Sequence, residues 1–167
     1  NDLIYVLGED KEEMGGSEYI KIMFNKVAGD SPSIDLVVEK RLQDTLLKLI
    51  GEGLINSAHD ISEGGIISAL AECCIINESQ MIGADVNIPI KSREDFSLFS
   101  ESQSRIIVSI TPNNKTLFEQ LLQNSKQSFT ILGKTGGRKF RVNNKTEMDI
   151  HQLADLYYHS ISEIMNV

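Results

Sequence analysis

A chain of 167 residues, 41% hydrophobic and 24% charged, has the make-up of a globular protein long enough to bury a core of its own. Sixteen Lys and Arg against 24 Asp and Glu give a formal net charge of −8, which repels nucleic-acid phosphates and anionic headgroups and argues against a nucleic-acid or membrane partner. No run approaches the roughly 20 apolar residues of a membrane span. Cys73 and Cys74 are adjacent and the only cysteines. They build neither a disulfide framework nor a zinc site, and the expectation is helix-borne thiols facing a core in a reducing cytoplasm.

In chain order, Leu3–Leu7 is an apolar run closed by Gly8-Glu9-Asp10, the pattern of a buried strand and a turn. A chain that opens directly on a strand, without Met, is expected to be a piece of something longer. Gly15-Gly16-Ser17 reads as a loop, and Tyr19–Phe24 as a short helix. A long helix is predicted from about Asp35, capped by Asp35 or Ser33, with Val38, Leu42, Leu46, Leu49 and Ile50 as its apolar stripe and Gly51 and Gly53 ending it.

After Ser57–Asp60, Ile66–Ile76 reads as a second helix, with Ile66, Leu70, Cys73 and Cys74 inward. Ala84–Ile88 is a strand, Glu94–Phe99 a helical turn or two, Arg105–Ile110 a β-branched strand, Lys115–Leu122 a helix and Thr130–Leu132 a strand. Gly133-Lys134-Thr135-Gly136-Gly137 is expected to be a hairpin turn into Lys139–Val142, and Met148–Met165 a closing amphipathic helix. Strands alternating with three substantial helices predict an α/β (α+β) domain, a mixed sheet packed against several helices, with no linker dividing residues 1–167.

Three segments have a pattern that suits chemistry. In Asp60-Ile61-Ser62-Glu63-Gly64-Gly65, two glycines at a helix start bare backbone N–H groups at the positive end of the helix dipole, an arrangement that holds phosphate, with the Ser62 hydroxyl as a further donor. The same pattern is equally read as a self-capping turn in which Ser62 or Asp60 accepts the helix N–H groups. Two carboxylates also oppose a bare phosphate unless Arg, Lys or Mg²⁺ joins them. Glu101-Ser102-Gln103-Ser104-Arg105 leads into a strand edge and suits a cleft wall, or is an ordinary polar loop with a Glu101–Arg105 ion pair. Gly15–Tyr19 is a second N–H cradle or a plain turn. His59 is placed to hydrogen-bond a ligand, while His151 and His159 read as surface or packing residues. No Ser/His/Asp order, Cys/His pair or metal-spaced cluster stands out, so no catalytic residue is assigned.

Asp2–Gly8 followed by Gly15-Gly16-Ser17-Glu18-Tyr19, then Glu39–Gln43, Gly53–Gly65 with Ala69-Leu70-Ala71-Glu72, Phe99–Arg105 and Ile131-Leu132-Gly133 resemble, in that order, the C-terminal domain of the phosphoribosylformylglycinamidine synthases. The resemblance implies the fold of the aminoimidazole ribonucleotide synthetase-related superfamily. It implies a part in the ATP-dependent amidation of formylglycinamide ribonucleotide in purine biosynthesis, with ammonia derived from glutamine. It places the ribose phosphate on Asp60, Ser62, Glu63, Gly64 and Gly65, with His59, Gly16, Ser17, Glu101, Gln103 and Arg105 as secondary candidates and Asp60 as a metal-assisting group. ATP and Mg²⁺ are expected in the parent enzyme, bound mainly by an N-terminal domain that this chain lacks. The implied partners are that domain and a glutaminase subunit or domain, and the chain alone is expected not to turn over. Three rivals stand: the corresponding domain of an aminoimidazole ribonucleotide synthetase, favoured less by the Gly15–Tyr19 and Glu101–Arg105 segments, a non-catalytic phosphate- or nucleotide-sensing module, and a pure scaffold.

Overall fold

The structure is a computed structural model that describes residues 1–165. Its frame is one seven-stranded sheet built from β1 (Leu3–Leu7), β2 (Ser57–Asp60), β3 (Ala84–Val86), β4 (Ile106–Ile110), β5 (Phe129–Thr135), β6 (Lys139–Val142) and β7 (Thr146–Asp149). The strand order is β2-β4-β1-β5-β3-β6-β7, and every pairing is antiparallel except β3 with β6. The helices are α1 (Glu18–Phe24), α2 (Leu36–Gly51), α3 (Gly65–Ile75), α4 (Glu94–Phe99), α5 (Lys115–Asn124) and α6 (Ile150–Met165).

β1 lies between β4 and β5, and its unbroken apolar sequence has a two-sided cause. Ile4 and Val6 face a core shared with Ile66, Leu70 and Cys74 of α3 and with Ile150 and Ala154 of α6. Tyr5 and Leu7 face the opposite core, with Leu42 and Leu49 of α2 and Phe118, Leu121 and Leu122 of α5. A strand covered on both faces has no reason to alternate apolar with polar residues. The Tyr5 ring packs 4.9 Å from that of Phe118, and its hydroxyl donates to Glu119 at 2.8 Å.

Asp35 caps α2 as expected, accepting from the N–H groups of Val37 and Val38. The helix buries Leu42, Thr45 and Leu49, whereas Ile50 is half exposed; the inward stripe is therefore narrower than the apolar spacing suggested. Cys74 is buried and Cys73 only partly so, because neighbours on a helix point about 100° apart. Burial raises the Cys73 thiol to about 11 and that of Cys74 to about 12.

Two expectations fail. The glycine-rich run after β5 is no hairpin: β3 lies between β5 and β6, and the connection arches over the start of β3, with Gly136 N–H donating to Gly83 O and Gly83 N–H to Gly137 O. Gly83 makes that crossing feasible, since a Cβ there would sit 2.4 Å from Lys139 O. Met148 and Asp149 belong to strand β7, and the closing helix starts at Ile150. Ser57–Asp60 is itself an edge strand paired to β4; its half-polar sequence fits one open side.

Candidate functional site

β2 delivers the chain to the start of α3, where Gly64 and Gly65 take φ values of +77° and +70°. Two successive left-handed residues are cheap only for glycine. Gly65 has a second reason, because a Cβ would lie 2.7 Å from the Phe99 backbone, so α3 and α4 approach through it. Asp60, Ser62 and Glu63 stand exposed around this turn.

Gly64 is the N-cap of α3, and no side chain of the turn caps the helix. The self-capping alternative is therefore not what forms. The Gly64 N–H donates instead to Glu101 Oε1 at 2.8 Å, and the same oxygen accepts from Glu18 N–H, at the start of α1, at 3.0 Å. One carboxylate thus serves the positive ends of two helices. The second cradle is consumed in the same way: besides Glu18, Gly16 N–H donates to Ala28 O and Ser17 N–H to Met14 O, and the buried Ser17 hydroxyl caps α1 through Ile20 N–H.

The segment before β4 is more deeply built in than a polar loop. Ser100 and Ser102 are fully buried and Arg105 is 3% exposed. Arg105 does not pair with Glu101. Its Nη2 donates to Ser100 O at 2.6 Å, its Nε to Ser102 O at 3.0 Å, and Nη1 lies 3.6 Å from Asp10. Burial pulls the guanidinium below its usual pKa, opposed by Asp10 and Glu13. Asp10 accepts in turn from the Ser100 hydroxyl at 2.5 Å, and Ser102 Oγ accepts from the N–H groups of Lys11 and Glu13. Gln103 is exposed. The sequence carried no signal for Asp10, which became a partner only once β1 and β4 had paired.

Beside the start of α3 lies a cavity of about 330 Å³, walled in part by Ile66, Ile88, Leu132, Asp10, Lys91 and Arg105. A mostly apolar hollow with a few convergent polar groups is the ordinary form of a small-molecule site. Lys91, which donates to Asp10 O, supplies an exposed cation on the cavity wall. His59 is placed structurally: Nδ1 lies 2.6 Å from Asp60 O and Nε2 3.2 Å from Glu72 of α3, leaving neither ring nitrogen idle. His151 is exposed, with its N–H bonded to Asp149, and His159 is exposed on α6, 3.8 Å from Asp155. Among the described residues no group of three or more His, Cys, Asp or Glu is placed to hold a metal ion. No helix among the described residues is long and apolar enough to cross a membrane.

Residues 1–143 match the family described as AIR synthase related protein, C-terminal domain. The phosphoribosylformylglycinamidine synthase subunit PurL of Thermoanaerobacter sp. (strain X514) is 43% identical over 151 residues, which make up 89% of this chain and 20% of that protein. Among solved structures, Thermotoga maritima PurL complexed with FGAR superposes with a TM-score of 0.72 at 22% identity, covering 92% of this chain and 28% of that one. PurLQS from the same organism gives 0.67 at 22% identity, over 92% and 26%. The chain spans about a fifth of the length of the curated relatives it matches.

Proposed function

The chain belongs to the AIR synthase related protein, C-terminal domain family, and we propose that it is the substrate-contributing domain of a phosphoribosylformylglycinamidine synthase. In this reading residues 1–167 are one domain of an ATP-dependent carbon–nitrogen ligase that converts formylglycinamide ribonucleotide to its amidine. The ATP-binding domain lies elsewhere in a longer polypeptide, and ammonia comes from a glutaminase partner in the cytoplasm. ATP, when bound there, supplies the phosphoryl group that activates the amide oxygen. This chain's residues bind and orient the ribonucleotide.

The observation that carries the reading is the junction of the α3 start with the cavity beside it. Ile66, the second residue of the helix, lines a hollow of about 330 Å³ that Lys91 and Arg105 also border. The ribose phosphate is taken to rest on the exposed side of the Ser62–Gly65 turn. Because Glu101 already accepts from Gly64 N–H and Ser62 O from Gly65 N–H, the phosphate is held by the Ser62 hydroxyl and the N–H groups of the next helical residues, with Lys91 on the cavity wall as the cation. Helix starts favour such an anion by dipole and by unsatisfied N–H groups.

The test uses exposed positions, since Gly65 is committed to packing against Phe99. Calorimetric titration of formylglycinamide ribonucleotide into the chain and into Ser62→Ala and Lys91→Gln is expected to show binding weakened about tenfold by each change, the value of one charge-assisted hydrogen bond. Binding untouched by both variants would remove the phosphate from this turn.

A further inference from the structure

Arg93, Arg105 and Arg141 each lie within ion-pair distance of a carboxylate. Arg41, in the second turn of α2, has no such partner among the described residues, and its Nε is buried without a hydrogen-bond acceptor. A buried donor left unpaired costs about 1–3 kcal/mol, and in native structures it commonly marks a place filled by water or an ion. The guanidinium borders a cleft of about 180 Å³, whose wall Lys11, Gln103, Ser104 and Ser128 complete.

Two carboxylates share that wall, and only one of them is uncommitted. Asp35 Oδ1 is engaged by the N–H groups of Val37 and Val38 as the cap of α2. Glu9 is exposed and opposes an incoming anion. Glu39, two residues before Arg41, accepts from the Ser104 hydroxyl and from Gln43, which keeps it from pairing with the arginine. We propose that this cleft is an oxyanion-binding site, with Arg41 as its principal ligand and a phosphate group as its occupant.

The chemistry fits on three counts. A guanidinium presents a planar fork that matches two phosphate oxygens at once. Lys11 adds a second cation, and the hydroxyl and amide groups of Ser128 and Gln103 add neutral donors. The volume suits one small tetrahedral anion. Glu9 and Ser128 also border the larger cavity beside α3, so a phosphate on Arg41 belongs either to free phosphate or to a sugar phosphate reaching into that cavity. The proposal stands without the reading of the Ser62–Gly65 turn, because it rests on a different helix and different donors.

The experiment is a titration of the whole chain, followed by ¹H–¹⁵N spectra that include arginine Nε–H groups, at low ionic strength. One arm uses inorganic phosphate and the other ribose 5-phosphate. Saturable shifts of Arg41 Nε–H and of the Gln103 and Ser104 amides are expected, weakened at least about tenfold in Arg41→Gln and only partly in Arg41→Lys, which keeps the charge but loses the fork. Glu9→Gln is expected to tighten binding about threefold by removing the opposing charge. Tighter binding of ribose 5-phosphate would assign the site to a sugar phosphate, and equal binding to the phosphate group alone. Shifts that fail to saturate, or that persist unchanged in Arg41→Gln with Glu9→Gln also without effect, would overturn the proposal. Shifts confined to Gly64–Ile66 would do the same and would place the anion at α3.

Discussion

Two segments meet at the start of α3, and they exchange the roles their sequences suggest. Residues 59–65 look like the chemical motif, yet Asp60, Ser62 and Glu63 lie on the surface, and one of the two glycines is required by the approach of Phe99. Residues 100–105 look like a polar loop, yet three of their side chains are almost wholly buried, and Glu101 supplies the anion that the glycine turn binds. A glycine-rich helix start shows where N–H groups point. Which acceptor meets them is decided by chain remote in sequence.

If that exchange of roles is right, damage should be greatest on the loop side. Arg105→Met removes the donor to two buried carbonyls and the partner of Asp10. A loss of about 3–5 kcal/mol in chemical denaturation is expected, the usual cost of leaving a buried charge uncompensated. A loss below about 1 kcal/mol would mean that the guanidinium is dispensable and the contrast between the segments false. Next comes Gly65→Ala, which puts a Cβ 2.7 Å from the Phe99 backbone at φ +70°; about 2–4 kcal/mol is expected from overpacking plus the left-handed penalty. Gly16→Ala is the control, at φ +73° with nothing within 4 Å, and only the conformational cost of about 1–2 kcal/mol applies.

The same contrast explains what could be read in advance. Strands β1 and β4 and helices α2, α3 and α5 announce themselves because apolar spacing reports burial directly, and the cap at Asp35 is a local event. β2 and β7 sit at the two sheet edges, where one open side dilutes the apolar signal. The failure of the β5–β6 hairpin is of another kind: nothing in Gly133–Gly137 tells that β3, some fifty residues earlier, will slip between the two strands. The candidate turn was legible as backbone geometry from Gly64-Gly65. Its carboxylate cap, the Arg105–Asp10 pair and the unpaired Arg41 were not, since each depends on partners brought together by the finished sheet.

A middle-sized effect tests the shared carboxylate itself. Glu101→Gln keeps an oxygen for Gly64 and Glu18 N–H but removes the charge from two helix starts. About 1 kcal/mol of stability should be lost, the typical strength of such a charge at a helix terminus, and more at low salt than at high. Glu101→Ala should lose more because the N–H groups then lack an acceptor. Equal effects from both changes would show that the charge, and not the hydrogen bond, is what matters.

The smallest expected effect concerns pH. Glu12, whose φ is +55°, accepts from the Ser92 hydroxyl at 2.7 Å, from Ser92 N–H and from the Ser97 hydroxyl. The Ser92 hydroxyl first, then Ser97 and Lys91, hold its carboxyl below the usual carboxylate value. A group whose folded pKa is depressed binds fewer protons folded than unfolded. Its contribution is complete above the unfolded carboxylate range and is lost as pH falls through the folded value. Stability followed by thermal melting should therefore decline on acidification below about pH 5, and Glu12→Gln should flatten that decline while leaving the loss from Arg105→Met intact. The loop at residues 9–13 grips both segment 100–105 and the approach to α4, so an acid limb unaltered by Glu12→Gln would mean that its carboxylate contributes nothing to the loop side of the comparison.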